Sequence, residues 1–298
     1  MEHSFSPDRR PYTIGIEEEL MIVDDEDFHL VNAIESLLED APDGEIKPEL
    51  MESVLEVSTD PCADTVEAGA QLRALRSQVR ETAARRSLSI GSAGTHPFAM
   101  WEDQRIVGRT RYRDLISALR FVARQELIFG MHVHVGVDDP DKAIHVADGI
   151  RVHIPVLLAL SVNSPFWVGR PTGLLSTRTA IFAGFPRSGM PPRFDSYDDY
   201  AETVGAMERA GAIGEYTHLW WDVRPHPRLG TLELRVPDVQ FDLDYALALA
   251  AYVQATAKAA LEAAEQGHAP AAFHRVLLQE NKWLAARHGL DAPLVDLP

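Results

Sequence analysis

Three consecutive carboxylates inside an aliphatic segment, Thr13-Ile-Gly-Ile-Glu17-Glu18-Glu19-Leu-Met-Ile-Val23, carry the most chemical potential in this sequence. Side chains alternate between the faces of a β-strand, so a strand over Thr13–Val23 puts Glu17 and Glu19 on one face with Thr13, Gly15 and Met21. The other face carries Ile14, Ile16, Leu20 and Ile22, with Glu18 interrupting what reads as core. Two carboxylates at this separation repel, and Glu is a poor strand former. The pair therefore needs either full solvation or divalent cations that take carboxylate oxygens and keep positions open for phosphate oxygens.

The pattern recurs. Glu52 and Glu56 share parity in a strand over Met51–Thr59, and Glu49 lies just before it. His132 and His134 share a face in Gly130-Met-His-Val-His-Val-Gly136, and Glu233 and Arg235 do so in Thr231-Leu-Glu-Leu-Arg-Val236. Taken singly, each is what a solvated strand face would show. The His-x-His pair can be two hydrogen-bonded core histidines, a zinc or iron pair, or a nucleotide contact. Together, four strands with ionisable groups on one face and aliphatic ones on the other describe the floor of an active site.

Phosphate chemistry would need cations that neutralise charge developing on a transferred phosphoryl, and arginine also clamps carboxylates bidentately. The candidates are Arg170, Arg178, Arg187, Arg193, Arg224, Arg228 and Arg235. Arg235 ranks first because it is in register with Glu233; Arg178 and Arg224 follow. A Gly-rich lysine loop of the P-loop kind is absent from the sequence.

These residues need elements to position them. A helix is predicted over Asp64–Arg86, with Asp64 as N-cap and Glu67 three residues on. Further helices are predicted over Thr110–Glu126, from Asp139-Pro140 to Ile154 with Pro155 dividing or kinking it, and over Asp195–Ala212. Leu127–Val137 and Thr231–Val236 read as strands. Asn163–Phe194 is a long connection rich in Gly, Pro, Arg and Ser, the kind that is usually functional. The stretch from Phe241 reads as helix, interrupted near Gly267–Pro270. The expected fold is α+β, a mainly antiparallel sheet backed by helices, in one domain over 1–298. Residues 11–240 would hold the sheet and site, and 241–298 a helical C-terminal part.

With 45 acidic against 28 basic residues and a net charge of −17, the chain is a poor fit to nucleic acid or an anionic membrane surface. Its lone cysteine, Cys62, cannot form an internal disulfide. The N-terminus lacks the basic and apolar regions of a signal peptide, and Lys258 and Glu262 disqualify Tyr245–Ala264 as a membrane span. A cytoplasmic location is expected.

The ordered set Gly15-Ile-Glu-Glu-Glu-Leu20, Glu49-Leu-Met-Glu-Ser-Val-Leu-Glu56, His132-Val-His-Val-Gly136, Asn163-Ser-Pro-Phe-Trp167 and Gly230-Thr-Leu-Glu-Leu-Arg-Val236 resembles the glutamate–cysteine ligase type 2 family of carboxylate–amine ligases. The resemblance runs from about Tyr12 to about Asp296. It implies a glutamine-synthetase-like fold whose antiparallel sheet forms an open funnel for ATP, Mg²⁺ (or Mn²⁺) and L-glutamate. It also implies that ATP phosphorylates the γ-carboxylate before an amine, such as L-cysteine, displaces phosphate. By motif, Glu17, Glu19, Glu49, Glu56, His132 and Glu233 would be metal ligands. Arg235 would stabilise the phosphoryl group, and Arg178 would hold substrate or phosphate. Apart from the motif, the residues themselves offer Arg224 as a further catalytic cation and His134 as a nucleotide contact. Glu18 falls at a variable motif position. Members of the family usually continue past the segment matching Leu294-Val-Asp296, so a shortened form is expected here. The resemblance leaves room for a homodimer. The residues also admit two other readings: a metal-dependent amidohydrolase built on His132 and His134, and a degenerate protein that binds glutamate or nucleotide without turnover.

Overall fold

A computed structural model describes residues 1–8, 10–41, 46–271 and 273–297. In chain order the first elements are β1 (Ile14–Asp24), α1 (Ile34–Asp40), β2 (Lys47–Pro48), β3 (Val54–Ser58), α2 (Thr65–Ala84) and β4 (Leu88–Gly91). Then come α3 (Thr110–Leu119), α4 (Phe121–Arg124), β5 (Met131–Gly136), α5 (Pro140–Ile150), α6 (Ile154–Ser161), and the hairpin β6 (Phe166–Trp167) with β7 (Arg170–Pro171). The last are α7 (Thr177–Phe182), β8 (Ser188–Gly189), α8 (Tyr197–Arg209), β9 (Trp220–Trp221), β10 (Val223–His226), β11 (Thr231–Leu234), α9 (Leu243–Glu265) and α10 (Arg275–His288).

Seven strands form one sheet in the order β10-β11-β5-β1-β3-β2, with β4 pairing the far half of β1. All of its pairings are antiparallel, as the sequence predicts. The long aliphatic β1 is its spine because it pairs β5 along its first half and β3 and β4 further on. One face is apolar. Ile14, Ile16, Leu20, Val57, Val133, Val135, Leu232 and Leu234 are buried there against α2, α5 and α9. Burying such aliphatic area contributes roughly 1.5–3 kcal/mol per large side chain, which fixes the register.

Glu18 lies on this apolar face and is fully buried. Arg76 of α2 meets it bidentately, at 2.8 Å and 2.6 Å, and spends its other donors on the carbonyls of Gln240 and Phe241. A charge that costs several kcal/mol to desolvate is thus compensated by a planar fork. The pairing does not fully offset burial, and the Glu18 carboxyl stays above its ordinary pKa.

Several boundaries differ from expectation for local reasons. Met51–Ser53 turns before β3 instead of extending it, and Glu52 swings out to Arg105 at 2.7 Å. The helix predicted over Thr110–Glu126 breaks at Arg120, whose φ of 53° lies in the left-handed region. Asp64 does cap α2, accepting from the N–H groups of Val66 and Glu67, while Glu67 reaches back to Ala63. The divided helix at Pro155 appears as α5, a 3₁₀ turn over Arg151–His153, and α6. Pro140–Ser161 is long and apolar enough to cross a membrane by length and composition, yet two-thirds of its most apolar stretch is buried inside the fold.

Candidate active site

The second face of the sheet is built from three rungs of directly opposed residues. Arg224, Glu233, His134 and Gly15 stand in line across β10, β11, β5 and β1. Ser58, Glu17 and His132 form the next rung, and Lys47, Glu56 and Glu19 the third. Above them opens a cavity of about 550 Å³, within the range of small-molecule sites. Its floor carries Glu17, Glu19, Glu56, His132, His134 and Glu233, joined by Glu49 from the turn before β3 and by Arg235 just beyond β11.

The hydrogen bonds on this floor are few and directed, and His134 Nε2 adds a longer charged contact to Glu17 at 3.6 Å. His132 Nδ1 lies 3.2 Å from Glu17, and His134 Nδ1 lies 2.9 Å from the hydroxyl of Thr231. The Nε2 atoms of both histidines are buried without a hydrogen-bond partner. Glu19 accepts from the Gly130 N–H at 2.5 Å. Lys47 and Ser58 both donate to Glu56, at 3.2 Å and 3.1 Å. Arg224 grips Glu233 at 2.6 Å, and Arg235 donates to the same carboxylate.

Electrostatics divides the carboxylates into two groups. Burial would raise Glu17, but the hydrogen bonds and charge of His132 and His134 hold it well below its ordinary pKa. Glu233 is likewise pulled down against burial by Arg224 and Arg235. On the other side of the floor, burial and the Glu17 charge push Glu56 up to about 7. Glu49 is raised well above its ordinary value by burial and by Glu56, Glu19 and Glu126. Such mutual repulsion is what a cation placed among these groups would relieve. Burial, then the Arg235 charge, lowers His132, whereas Glu17 overcomes burial and raises His134.

Each candidate from the sequence can now be located. Glu17, Glu19, Glu49, Glu56, His132, His134, Glu233, Arg224 and Arg235 all line the cavity. Ligand atoms of Glu17, His134 and Glu233 converge to within 4.8 Å of one another. The candidate cation cluster these atoms form contains His134, where the motif reading had His132. The reason is register, since His134 stands directly opposite Glu233.

Arg178 does not line this cavity. Its guanidinium donates to the carbonyls of Val236 and Arg235, at 3.1 Å each. There it borders a small recess with Glu19, Glu49, Glu126 and Arg235. Gly130 leaves it room, for a Cβ there would stand 2.2 Å from Arg178 Nη2. Arg224 reaches the cavity, but its donors are committed to Glu233 and to the carbonyls of Thr217 and Leu219. These bonds fix the orientation of Glu233 on the floor. Arg235 keeps a buried Nε without a partner, and Glu233, Glu19 and Glu17 raise its pKa against the effect of burial. Of the remaining arginines, Arg228 reaches the rim beside Glu215, Arg193 serves Asp148, Arg187 lies over Trp220, and Arg170 is exposed on β7.

Sequence reasoning missed several lining groups. Arg109, Arg111 and Tyr112 come from the start of α3, and Glu215, Thr217 and His218 from a 3₁₀ turn, where no period marks a face. Glu126 follows α4; burial and Glu19 push its pKa up to about 8. His226 had a signal: Trp220, Asp222, Arg224 and His226 alternate with Trp221, Val223 and Pro225. The proline spoke against a strand, but β10 is the sheet's edge, where proline is tolerated.

A family model described as glutamate–cysteine ligase family 2 matches residues 13–297. The chain belongs to that family. A relative from Rubrobacter xylanophilus, provisionally named glutamate–cysteine ligase 2-1, is 46% identical over 289 residues, covering 96% of this chain and 76% of the relative. A provisionally named glutamate–cysteine ligase 2 from Sorangium cellulosum is 42% identical over 290 residues, covering 96% and 77%. Among solved structures, glutamate–cysteine ligase from Francisella tularensis in complex with AMP superposes with a TM-score of 0.68 at 16% identity, over 97% of this chain and 74% of that one. A bifunctional glutathione synthetase from Pasteurella multocida gives 0.72 at 15% identity, over 96% and 43%. At such identities these two likenesses speak for the fold alone. Family membership makes the chain an ATP-dependent ligase that joins carbon to nitrogen.

Proposed function

We propose that this protein joins the γ-carboxylate of L-glutamate to an amine, cysteine or another, through an acyl phosphate formed with ATP and Mg²⁺ or Mn²⁺. The observation that carries the reading is the cavity floor, where carboxylates and two histidines with unpartnered Nε2 atoms face a buried, unspent arginine Nε. An oxygen-rich donor set with one or two imidazoles suits Mg²⁺ or Mn²⁺, and the raised Glu49 and Glu56 fit a cation-binding floor. Glu17, His134 and Glu233 would hold one ion, and Glu19, Glu49, Glu56 and His132 would serve others. Bound metal would draw in phosphate oxygens and neutralise their charge.

The chain's own groups account for the rest. A γ-carboxylate oxygen of glutamate attacks the terminal phosphorus of ATP, and ADP leaves. Arg235, locked in the charged state by Glu233, stabilises the phosphoryl in transit. Arg224 keeps Glu233 in place. The amine nitrogen then attacks the acyl carbon, the C–N bond forms, the bond to phosphate breaks, and the nitrogen gives up a proton. Arg109 and Arg111, which line the cavity, would meet the α-carboxylate of an amino-acid substrate.

An ADP-release screen with ATP, Mg²⁺ and glutamate against a panel of amines, with mass analysis of products, tests this. Release that requires glutamate, amine and metal is expected. ATP binding with no turnover for any amine would instead support a binding protein. Amide hydrolysis with tightly bound zinc would support the hydrolase reading. That reading is weakened here, since the His-x-His pair lies on an antiparallel strand and not in a β/α barrel.

A further inference from the structure

The helix α10 stands outside the cavity, yet both hydrogen bonds that hold the peptide groups of Arg235 lead back to it. The Arg235 N–H donates to the carbonyl of Asp222 at 2.8 Å. The side chain of Asp222 is buried and receives Lys282 Nζ of α10 at 2.6 Å. On the other side, the Arg235 carbonyl accepts from Arg178, the second residue of α7. The start of α7 is anchored in turn, because the N–H groups of Leu175 and Ser176 both donate to the carbonyl of Ala286 in α10, at 2.8 Å and 2.9 Å. Ser176 caps α7 and gives its hydroxyl to Asp238 at 3.0 Å, beside Arg178. Lys282 and Ala286 are four residues apart, so the two anchors stand one turn apart on one face of a single rigid helix.

We propose that Lys282 is a positioning residue for Arg235, and that α10 is the frame from which the guanidinium is aimed. The inference rests on the reading of Arg235 as the group that meets the phosphoryl. Its physical basis is the second oxygen of Asp222, buried without a partner. Lys282 is the cation that meets this carboxylate, and without it a buried charge must seek water. Moving Asp222 moves the carbonyl that fixes the Arg235 backbone. Beyond that backbone the Arg235 guanidinium is held by Glu233, so a shift at its root reaches its tip.

Lys282→Met preserves the apolar stem and removes the charge; Lys282→Arg preserves the charge. The full chain is assayed for ADP release, and the ¹⁵Nε–H signal of Arg235, assigned through Arg235→Lys, is followed by NMR. The expected result for Lys282→Met is a fall in kcat of about ten- to a hundred-fold, with the KM for ATP changing far less. The Arg235 signal shifts, Lys282→Arg recovers most of both, and Asp222→Asn repeats the loss. A folded Lys282→Met enzyme with wild-type kcat and an unmoved Arg235 signal overturns the proposal. So does a loss that tracks only the amount of folded protein. If the wild type shows no turnover, the ligase reading is what has failed, and the Arg235 signal still decides whether α10 aims the guanidinium.

Discussion

Glu17 and Glu19 differ from Glu18 by one position on the same strand, and the two sides of β1 treat a carboxylate in opposite ways. Glu18 is enclosed by α2, matched by Arg76 with two short hydrogen bonds, and cut off from the cavity. Glu17 and Glu19 face like charges and imidazoles, with the nearest arginine, Arg235, shared among Glu233, Glu19 and Glu17. One side completes a charge pair inside the fold; the other leaves negative charge unbalanced toward an opening. Imbalance maintained against burial is the mark of a site that expects something to bind.

The contrast can be tested by removing charge on each side. Glu17→Gln or Glu19→Gln should abolish ligation, by ~1,000-fold or more in ADP release, with the protein still folded by circular dichroism. Full activity in either variant would remove the assigned site. Glu18→Ala should do the reverse, costing about 3 kcal/mol by denaturant titration because the half-buried Arg76 loses its carboxylate, with kcat per folded molecule retained. Replacing both members, Glu18→Met with Arg76→Leu, should recover most of that stability.

A smaller effect separates the sides by pH. In cation-free protein Glu56 titrates near 7 and Glu126 near 8, both above the ordinary 4.5, so the folded state binds more protons than the unfolded one between those values. The contribution of these two groups to stability is therefore greatest below the unfolded pKa and falls as pH rises through the folded values. Urea midpoints in chelator should drop from pH 5 to pH 8, and added Mg²⁺ or Mn²⁺ should flatten the curve. A slope unchanged by metal would sever these carboxylates from cation binding. Smallest of all, Glu52→Ala should cost under about 1 kcal/mol and leave turnover intact, because its partner Arg105 is exposed.

Strand parity made the floor legible. Glu17, Glu19, Glu56, His132, His134, Glu233 and the antiparallel sheet all follow from counting in twos along aliphatic segments, and the ordered motifs gave the family. Parity misled at Glu52, where the chain turns before the strand begins. It was silent about Glu126, Arg109, Arg111 and Glu215, which tertiary packing brings in from turns and helix ends. Arg178 shows a different limit. A sequence motif marks the arginine but not its contacts, here the carbonyls of Val236 and Arg235.

The floor is assembled from residues as far apart as Glu17 and Glu233, joined through β1, β5 and β11. Closing pairings that distant costs loop entropy before the contacts reward it, and a fragment without β1 or β11 lacks the site. Ligand affinity is then coupled to the whole sheet instead of to one loop. Saturating nucleotide and metal would stabilise the folded ensemble by RT ln(1 + [L]/Kd), protecting β1 and β11 together against hydrogen exchange. In a cell, the supply of substrate would help set how long the protein survives.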